Sequence, residues 1–299
     1  MLALTFSVPT TVRAADTGKT FSTPEEAVAA LSAAANASES NALLDLFGPA
    51  VPDIRNPDRV QATNELQSFA ASLNETNRLV HESDSRCMLE VGEHSWPFPI
   101  PIVKQDGKWF FDTEAGKEEI LNRRIGRNEL ETLQTVRAYV AAQHEYASRD
   151  RLGNEVLQYA QKFDSSPGKK DGLYWPTNPD DEISPLGPLV ARAQAAGYEM
   201  IGQSSDGGPE PFHGYYFKIL TRQGKRAPGG KYDYVINGNM IGGFALAAWP
   251  AEYGNTGIMT FIVNQQGRVY QKDLGSKTGK LAPAMKQYDP DSTWELSPD

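Results

Sequence analysis

The chain has 299 residues, 39% hydrophobic and 22% charged, which suffices to bury the cores of about two domains and excludes a disordered chain. Its 38 acidic residues outweigh 29 basic ones for a formal net charge of -9, which excludes a basic footprint for nucleic acid and disfavours a charge-driven hold on anionic lipid. A single cysteine, Cys87, excludes an internal disulfide, and 26 glycines with 20 prolines point to many turns and short strands.

Residues 1–8 (MLALTFSV) are apolar, and Val12 and Ala14 stand three and one before a cut ahead of Ala15. This is the pattern of a secretory signal peptide over residues 1–14, cut short because no basic n-region precedes it. No later stretch approaches the ~18 apolar residues of a spanning helix. The expectation is a soluble mature protein without a transmembrane segment, periplasmic or secreted.

Thr23-Pro24-Glu25-Glu26 is a helix start. Thr23 can cap, Pro24 suits the first turn, and Glu26 stands where a capping-box partner belongs. Ala27, Val28, Leu31 and Ala35 continue it as an apolar stripe. Further helices are predicted over 41–47 and 58–73, with a break over 49–57. Strands follow over 78–82, 87–91, 98–104 and 108–112. The last two flank Gln105-Asp106-Gly107, and Asp-Gly between apolar runs is a strong hairpin signal. Cys87 lies within the second strand, where a buried, inert thiol is the expectation.

Residues 114–124 read as a connecting helix that Gly126 punctuates. Asn128 then caps a new helix with Glu131 as its capping-box partner. On that helix Leu130, Leu133, Val136, Val140, His144 and Ala147 share one stripe. A further helical piece is expected over 152–163, a loop over 165–171, and a helix over 186–196 ended by Gly197. An open polar loop covers 202–211. Strands over 215–222, 244–249, 258–263 and 269–272 complete the chain, the last pair joined by Asn264-Gln265-Gln266-Gly267. Residues 295–299 read as a frayed tail. The fold class is therefore α+β, helices followed by antiparallel sheet, twice, with units over 20–125 and 126–294.

Catalytic signatures are missing: there is no Gly-x-Ser-x-Gly elbow, no His-Glu-x-x-His and no P-loop. His144-Glu145 lacks a second zinc ligand; Asp180-Asp181-Glu182 lacks the alternating spacing of a calcium loop and, like Asp289-Pro290-Asp291, reads as a solvated acidic loop or an opportunistic cation site. No catalytic residue, metal or cofactor is expected. His94 and His213 lie in loops beside aromatic residues and could meet a carboxylate at a metal, but the sequence alone does not bring them together.

Aromatic clusters at loop positions are the stronger signal: Leu173-Tyr174-Trp175-Pro176, His213-Gly214-Tyr215-Tyr216 and Trp249-Pro250-Ala251-Glu252-Tyr253. Rings with polar tips can stack on a sugar or anchor a partner chain; the alternative is that they pad the sheet edge and the helix–sheet seam. The candidate binding residues are Tyr174, Trp175, Trp249, Glu252, Tyr253, His144, His213 and Tyr215. His144, with Arg137 two turns away, could shuttle a proton or be a satisfied residue at the edge of the core. Arg222, Lys225, Arg226 and Lys231 make a basic loop suited to an anionic glycan or an acidic partner, or simply a solvated hairpin loop.

Five segments carry a resemblance: Phe21-Ser22-Thr23-Pro24-Glu25-Glu26-Ala27-Val28, Trp109-Phe110-Phe111-Asp112, Gly214-Tyr215-Tyr216-Phe217-Lys218, Trp249-Pro250-Ala251-Glu252-Tyr253-Gly254 and Met259-Thr260-Phe261-Ile262-Val263-Asn264 with Gly267. Through them the chain resembles the bacterial family called domain of unknown function 2950, which implies export and assigns no chemistry. Residues 22–125 also resemble a cystatin/NTF2-like cone. Residues 127–275 resemble the globular head of type IV pilin-like proteins through Asn128-Glu129, Gly214-Tyr215 and Thr256-Gly257-Ile258-Met259-Thr260-Phe261. No long apolar helix precedes Asn128, so only the head fold is implied. The functional expectation is an exported, non-enzymatic binding or assembly module with an envelope protein or glycan as partner. The alternatives are a periplasmic hydrolase of a glycan or small ester, and a purely structural envelope protein.

Overall fold

A computed structural model describes residues 17–37, 40–178, 182–198 and 210–298; the signal peptide predicted over 1–14, Asp180, Asp181 and most of the 202–211 loop lie outside the described residues. The chain separates into two compact units, Met1–Arg55 with Thr63–Ile120, and Asn56–Ala62 with Leu121–Asp299.

In the first unit α1 (Pro24–Ala37) starts as its sequence requires. Thr23 Oγ1 accepts the Glu26 N–H at 3.2 Å, and the Glu26 carboxylate accepts the Ser22 N–H at 2.9 Å. Helix α2 (Ser40–Phe47), the short α3 (Val51–Ile54) and α4 (Arg59–Glu75) follow, the first turn of α4 counting with the second unit. The strands are β1 (Asn77–Ser83), β2 (Arg86–Val91), β3 (Trp96–Pro97), β4 (Ile102–Gln105) and β5 (Lys108–Phe111). They pair antiparallel in the order β1-β2-β4-β5, with β3 on β2. The Asp-Gly hairpin forms as predicted: Asp106 (φ 50°) and Gly107 (φ 76°) turn in the left-handed region and bring Gln105 opposite Lys108. Ala27, Leu31 and Ala35 of α1 pack into one core with Leu89, Ile102 and Phe111. Cys87 lies in that core, fully buried, with Sγ 3.2 Å from His81 Nδ1. Burial above all, then Glu25 and Glu82, pushes its thiol up, so it stays protonated and inert.

Helix α5 (Thr113–Ala147) is a single run of 35 residues. Two expectations fail here. Gly126 does not punctuate the helix, and Asn128 does not cap a new one. An interior glycine costs only about 1 kcal/mol, and the Asn128 side chain is committed to buried partners described below. Leu133 and Val136 of the predicted stripe are buried in the core, but the stripe is not the whole of the buried face. Leu130 is 64% exposed, while Asn128, Thr132, Tyr139, Gln143 and Tyr146 are buried. Hydrophobicity misses part of the face because Asn128 and Gln143 are polar yet buried, held by hydrogen bonds to Gln61, Thr256 and Ala160.

The helix expected over 152–163 does not form. The Asp150 carboxylate instead accepts the N–H groups of Leu152, Gly153, Asn154 and Glu155, and Gln143 both accepts from and donates to the Ala160 backbone at 2.8 Å. Side chains thus satisfy the backbone that a helix would have satisfied. Helix α6 (Gly187–Ala195) ends near Gly197 at φ 93°, as its sequence predicts.

The remainder is antiparallel sheet: β6 (Tyr215–Leu220), β11 (Ala245–Pro250), β12 (Met259–Asn264), β13 (Tyr270–Asp273) and β14 (Glu295–Leu296), in the order β14-β13-β12-β11-β6. Between β6 and β11 lie two small pairings, β7 (Arg222–Gln223) with β8 (Tyr232–Asp233), and β9 (Val235–Ile236) with β10 (Asn239–Met240). Helix α7 (Thr278–Leu281) precedes the last strand. The chain end is not frayed as far as Ser297, because Glu295 and Leu296 pair with Gln271 and Tyr270. Strand β11 is buried along its whole length and forms the centre of the core with Tyr139, Phe244 and Phe261.

Candidate ligand cleft

The second unit is assembled around polar side chains. Asp58, 2% exposed, precedes α4, and its Oδ1 accepts the Gln61 N–H at 2.9 Å as a helix cap. Its Oδ2 accepts the Tyr198 O–H at 2.7 Å and the Gly214 N–H at 3.0 Å. Tyr198 Oη in turn accepts the His213 N–H at 3.3 Å. Asn128 Oδ1 accepts Gln61 Nε2 at 2.7 Å, and Asn128 Nδ2 donates to the Thr256 carbonyl at 2.9 Å. The next residue on α5 is Glu129, whose Oε1 accepts the Ile258 and Met259 N–H groups, both at 2.9 Å. The segments Asn128-Glu129, Gly214-Tyr215 and Thr256-Gly257, singled out in the sequence, therefore meet. Gly214 sits at φ 74°, and a Cβ there would lie 2.5 Å from Asn128 Nδ2. Only glycine lets the turn approach α5 so closely.

His213 (φ 49°) and Gly214 are the two central residues of a tight turn closed by Phe212 and Tyr215, the left-handed pair already seen at Asp106-Gly107, and the bonds to Asp58 and Tyr198 hold that turn in place. Its half-buried ring lines a cleft of about 160 Å³ between α5 and α6. Glu131, Thr135 and Arg192 bring polar groups to the cleft, and Leu189 and Phe212 wall it. Burial is the largest influence on His213 and lowers its pKa; Glu131 and Asp58 pull the other way and do not prevail. The imidazole is therefore neutral at pH 7 and presents one donor and one acceptor. Among the described residues neither ring nitrogen has a hydrogen-bond partner. Arg192 Nη2 stands 3.9 Å from Glu131 Oε2, an ion pair too long for a hydrogen bond. The Thr135 hydroxyl is engaged, donating to the Glu131 carbonyl at 2.9 Å.

The family model for a protein of unknown function, DUF2950, matches residues 18–296. The chain belongs to the DUF2950 family. No curated protein and no solved structure matches it. The matched span takes in Asp58, Tyr198 and every residue of the cleft in this DUF2950 protein. Among its described residues no helix is long and apolar enough to cross a membrane, and no three His, Cys, Asp or Glu side chains are grouped to hold a metal.

Of the candidate binding residues singled out in the sequence, His213 alone lines the cleft. Tyr215, two positions on, is fully buried and donates to the Met259 carbonyl at 3.0 Å. Trp175 is 5% exposed, its indole N–H directed at the Glu182 carbonyl at 3.3 Å and its ring faced by Arg151 at 5.3 Å and Lys170 at 5.2 Å. Tyr174 is tied through its backbone to Phe163 and Ser165. Trp249 is 8% exposed and lies across from Tyr216. Glu252 closes a turn by accepting from Asn255 Nδ2, and Tyr253 donates to Asp273. His144 lies exposed with Nε2 3.2 Å from the Gln265 carbonyl and its ring edge-on to Phe244. His94 lies in an exposed turn of the first unit. In the basic loop Arg226 pairs with Asp289 and Asp291, and Arg222 with Asp233, which neutralises much of its charge.

Sequence reasoning missed Asp58, Tyr198 and Arg192, and gave Glu131 only a capping role. For Asp58 a signal was present. Asp58-Arg59-Val60-Gln61 has the spacing of a capping box, with an acceptor and then Gln three residues on.

Proposed function

We propose that this DUF2950 protein is an exported binding module that receives a small partner group in the His213 cleft. One observation carries the reading: a neutral, half-buried imidazole with both nitrogens open among the described residues, on a tight turn held by a fully satisfied buried carboxylate. A turn anchored by a buried carboxylate presents the open imidazole in one fixed place, which supports a site for a ligand. Binding is favoured over turnover because the cleft's hydroxyl, Thr135, already spends its proton on its own helix. Export rests on the Val12-x-Ala14 pattern.

The test is side-chain NMR of the purified protein with the His213 imidazole assigned, exposed to a fragment library and to the low-molecular-weight fraction of an envelope extract. The His213 signal is expected to move with at least one mixture, and His213→Ala is expected to abolish the accompanying thermal shift. A His213 signal indifferent to every mixture overturns the reading. Consumption of a component by wild type but not by His213→Ala would replace binding with hydrolysis.

A further inference from the structure

The chemistry lining the cleft also narrows what it takes, an inference that rests on the binding reading above. Three kinds of group converge there. The Arg192 guanidinium, its side chain 69% exposed, is a planar donor suited to a carboxylate. The Glu131 carboxylate, 31% exposed, accepts from an ammonium. They stand 3.9 Å apart without a hydrogen bond between them, so a ligand can engage each without first breaking a formed bond. The third component is the wall of Leu189 and Phe212 beneath a volume of about 160 Å³, a space that elsewhere holds a benzene-sized apolar group (about 150 Å³).

A lone carboxylate would leave Glu131 facing it, and a lone ammonium would leave Arg192 facing it. A ligand carrying both charged groups on one carbon satisfies both. We infer that the cleft binds a free α-amino acid with an apolar side chain. The carboxylate lies on Arg192, the ammonium on Glu131, and the side chain against Leu189 and Phe212. His213, kept neutral by its surroundings, adds a hydrogen bond without adding a charge that would upset the pairing. A peptide fits less well, because its two charges are separated by the chain and one of the two cleft residues would stay unmatched.

The experiment titrates the full chain with four probes that share the isobutyl side chain, read by the His213 imidazole signal and by calorimetry: leucine, 4-methylpentanoate, isoamylamine and N-acetyl-leucinamide. Leucine is expected to bind, and the two singly charged probes to bind about ten-fold more weakly or worse, the cost of one lost hydrogen bond to a charged group. Arg192→Met keeps the apolar stem and is expected to erase the preference for leucine over isoamylamine. If N-acetyl-leucinamide moves His213 as strongly as leucine, the cleft is a site but the amino-acid assignment is wrong. If none of the four moves His213, the amino-acid assignment is overturned and the mixture experiment alone decides whether the cleft binds anything. A leucine preference that survives Arg192→Met likewise overturns it.

Discussion

Asp58→Ala strips one carboxylate from three donors, the Gln61 N–H, the Tyr198 O–H and the Gly214 N–H. At 2% exposure no solvent stands ready to replace it. Each orphaned donor costs about 1–3 kcal/mol, the helix-cap bond being at the low end at about 1 kcal/mol. Partial relaxation leaves an expected loss of about 3–6 kcal/mol, a large share of the ~5–15 kcal/mol that holds a domain together. Tyr198→Phe removes one of the three bonds together with the acceptor of the His213 N–H, and should cost about 1–3 kcal/mol. The two variants are compared with wild type by urea unfolding followed by circular dichroism, with hydrogen exchange of the Gly214 amide reporting local opening. A loss below about 1 kcal/mol for Asp58→Ala would refute the reasoning, as would a Tyr198→Phe loss equal to it.

Trp175→Ala should cost about 3–5 kcal/mol and lower the thermal midpoint by several degrees, whereas truncation of Trp96, 48% exposed, should leave the midpoint nearly unchanged. Similar midpoints for the two variants would place the Trp175 ring outside the core. Because burial lowers the His213 pKa, the unfolded chain takes up this proton at higher pH than the folded one, so stability falls as pH drops through about 6.5. His213→Gln should flatten that acid-side slope of the urea midpoint, and an unchanged slope would mean that the ring is not shielded. Cys87 should resist a thiol reagent in the native protein and react once urea has unfolded it; fast native labelling would contradict its raised pKa.

Local chemistry was legible wherever it was also sufficient. The Thr23–Glu26 start, the Asp106-Gly107 hairpin and the end of α6 near Gly197 need nothing beyond a few neighbouring residues, and all three form. The reading failed where a side chain serves a distant segment. Asn128 has the composition of a cap, but its partners Gln61 and Thr256 lie 67 and 128 residues away. Gln143 and Asp150 look like surface polar residues, yet they hold the backbone over 152–160 and so override its helical periodicity. The cleft was legible only as His213. Arg192 carries no local mark, and Glu131 carried the mark of another job.

The clamp at Asp58 also dictates an order of events during synthesis. It joins positions 140 and 156 residues apart in the chain. At about 5–20 residues per second, roughly 10–30 s separate the emergence of Asp58 from that of its last partner. Throughout that interval a carboxylate destined for burial remains in water while the residues around it are translated and folded. The second unit can therefore close only after most of the chain has left the ribosome, and any release or truncation before Gly214 leaves its first seven residues without a home.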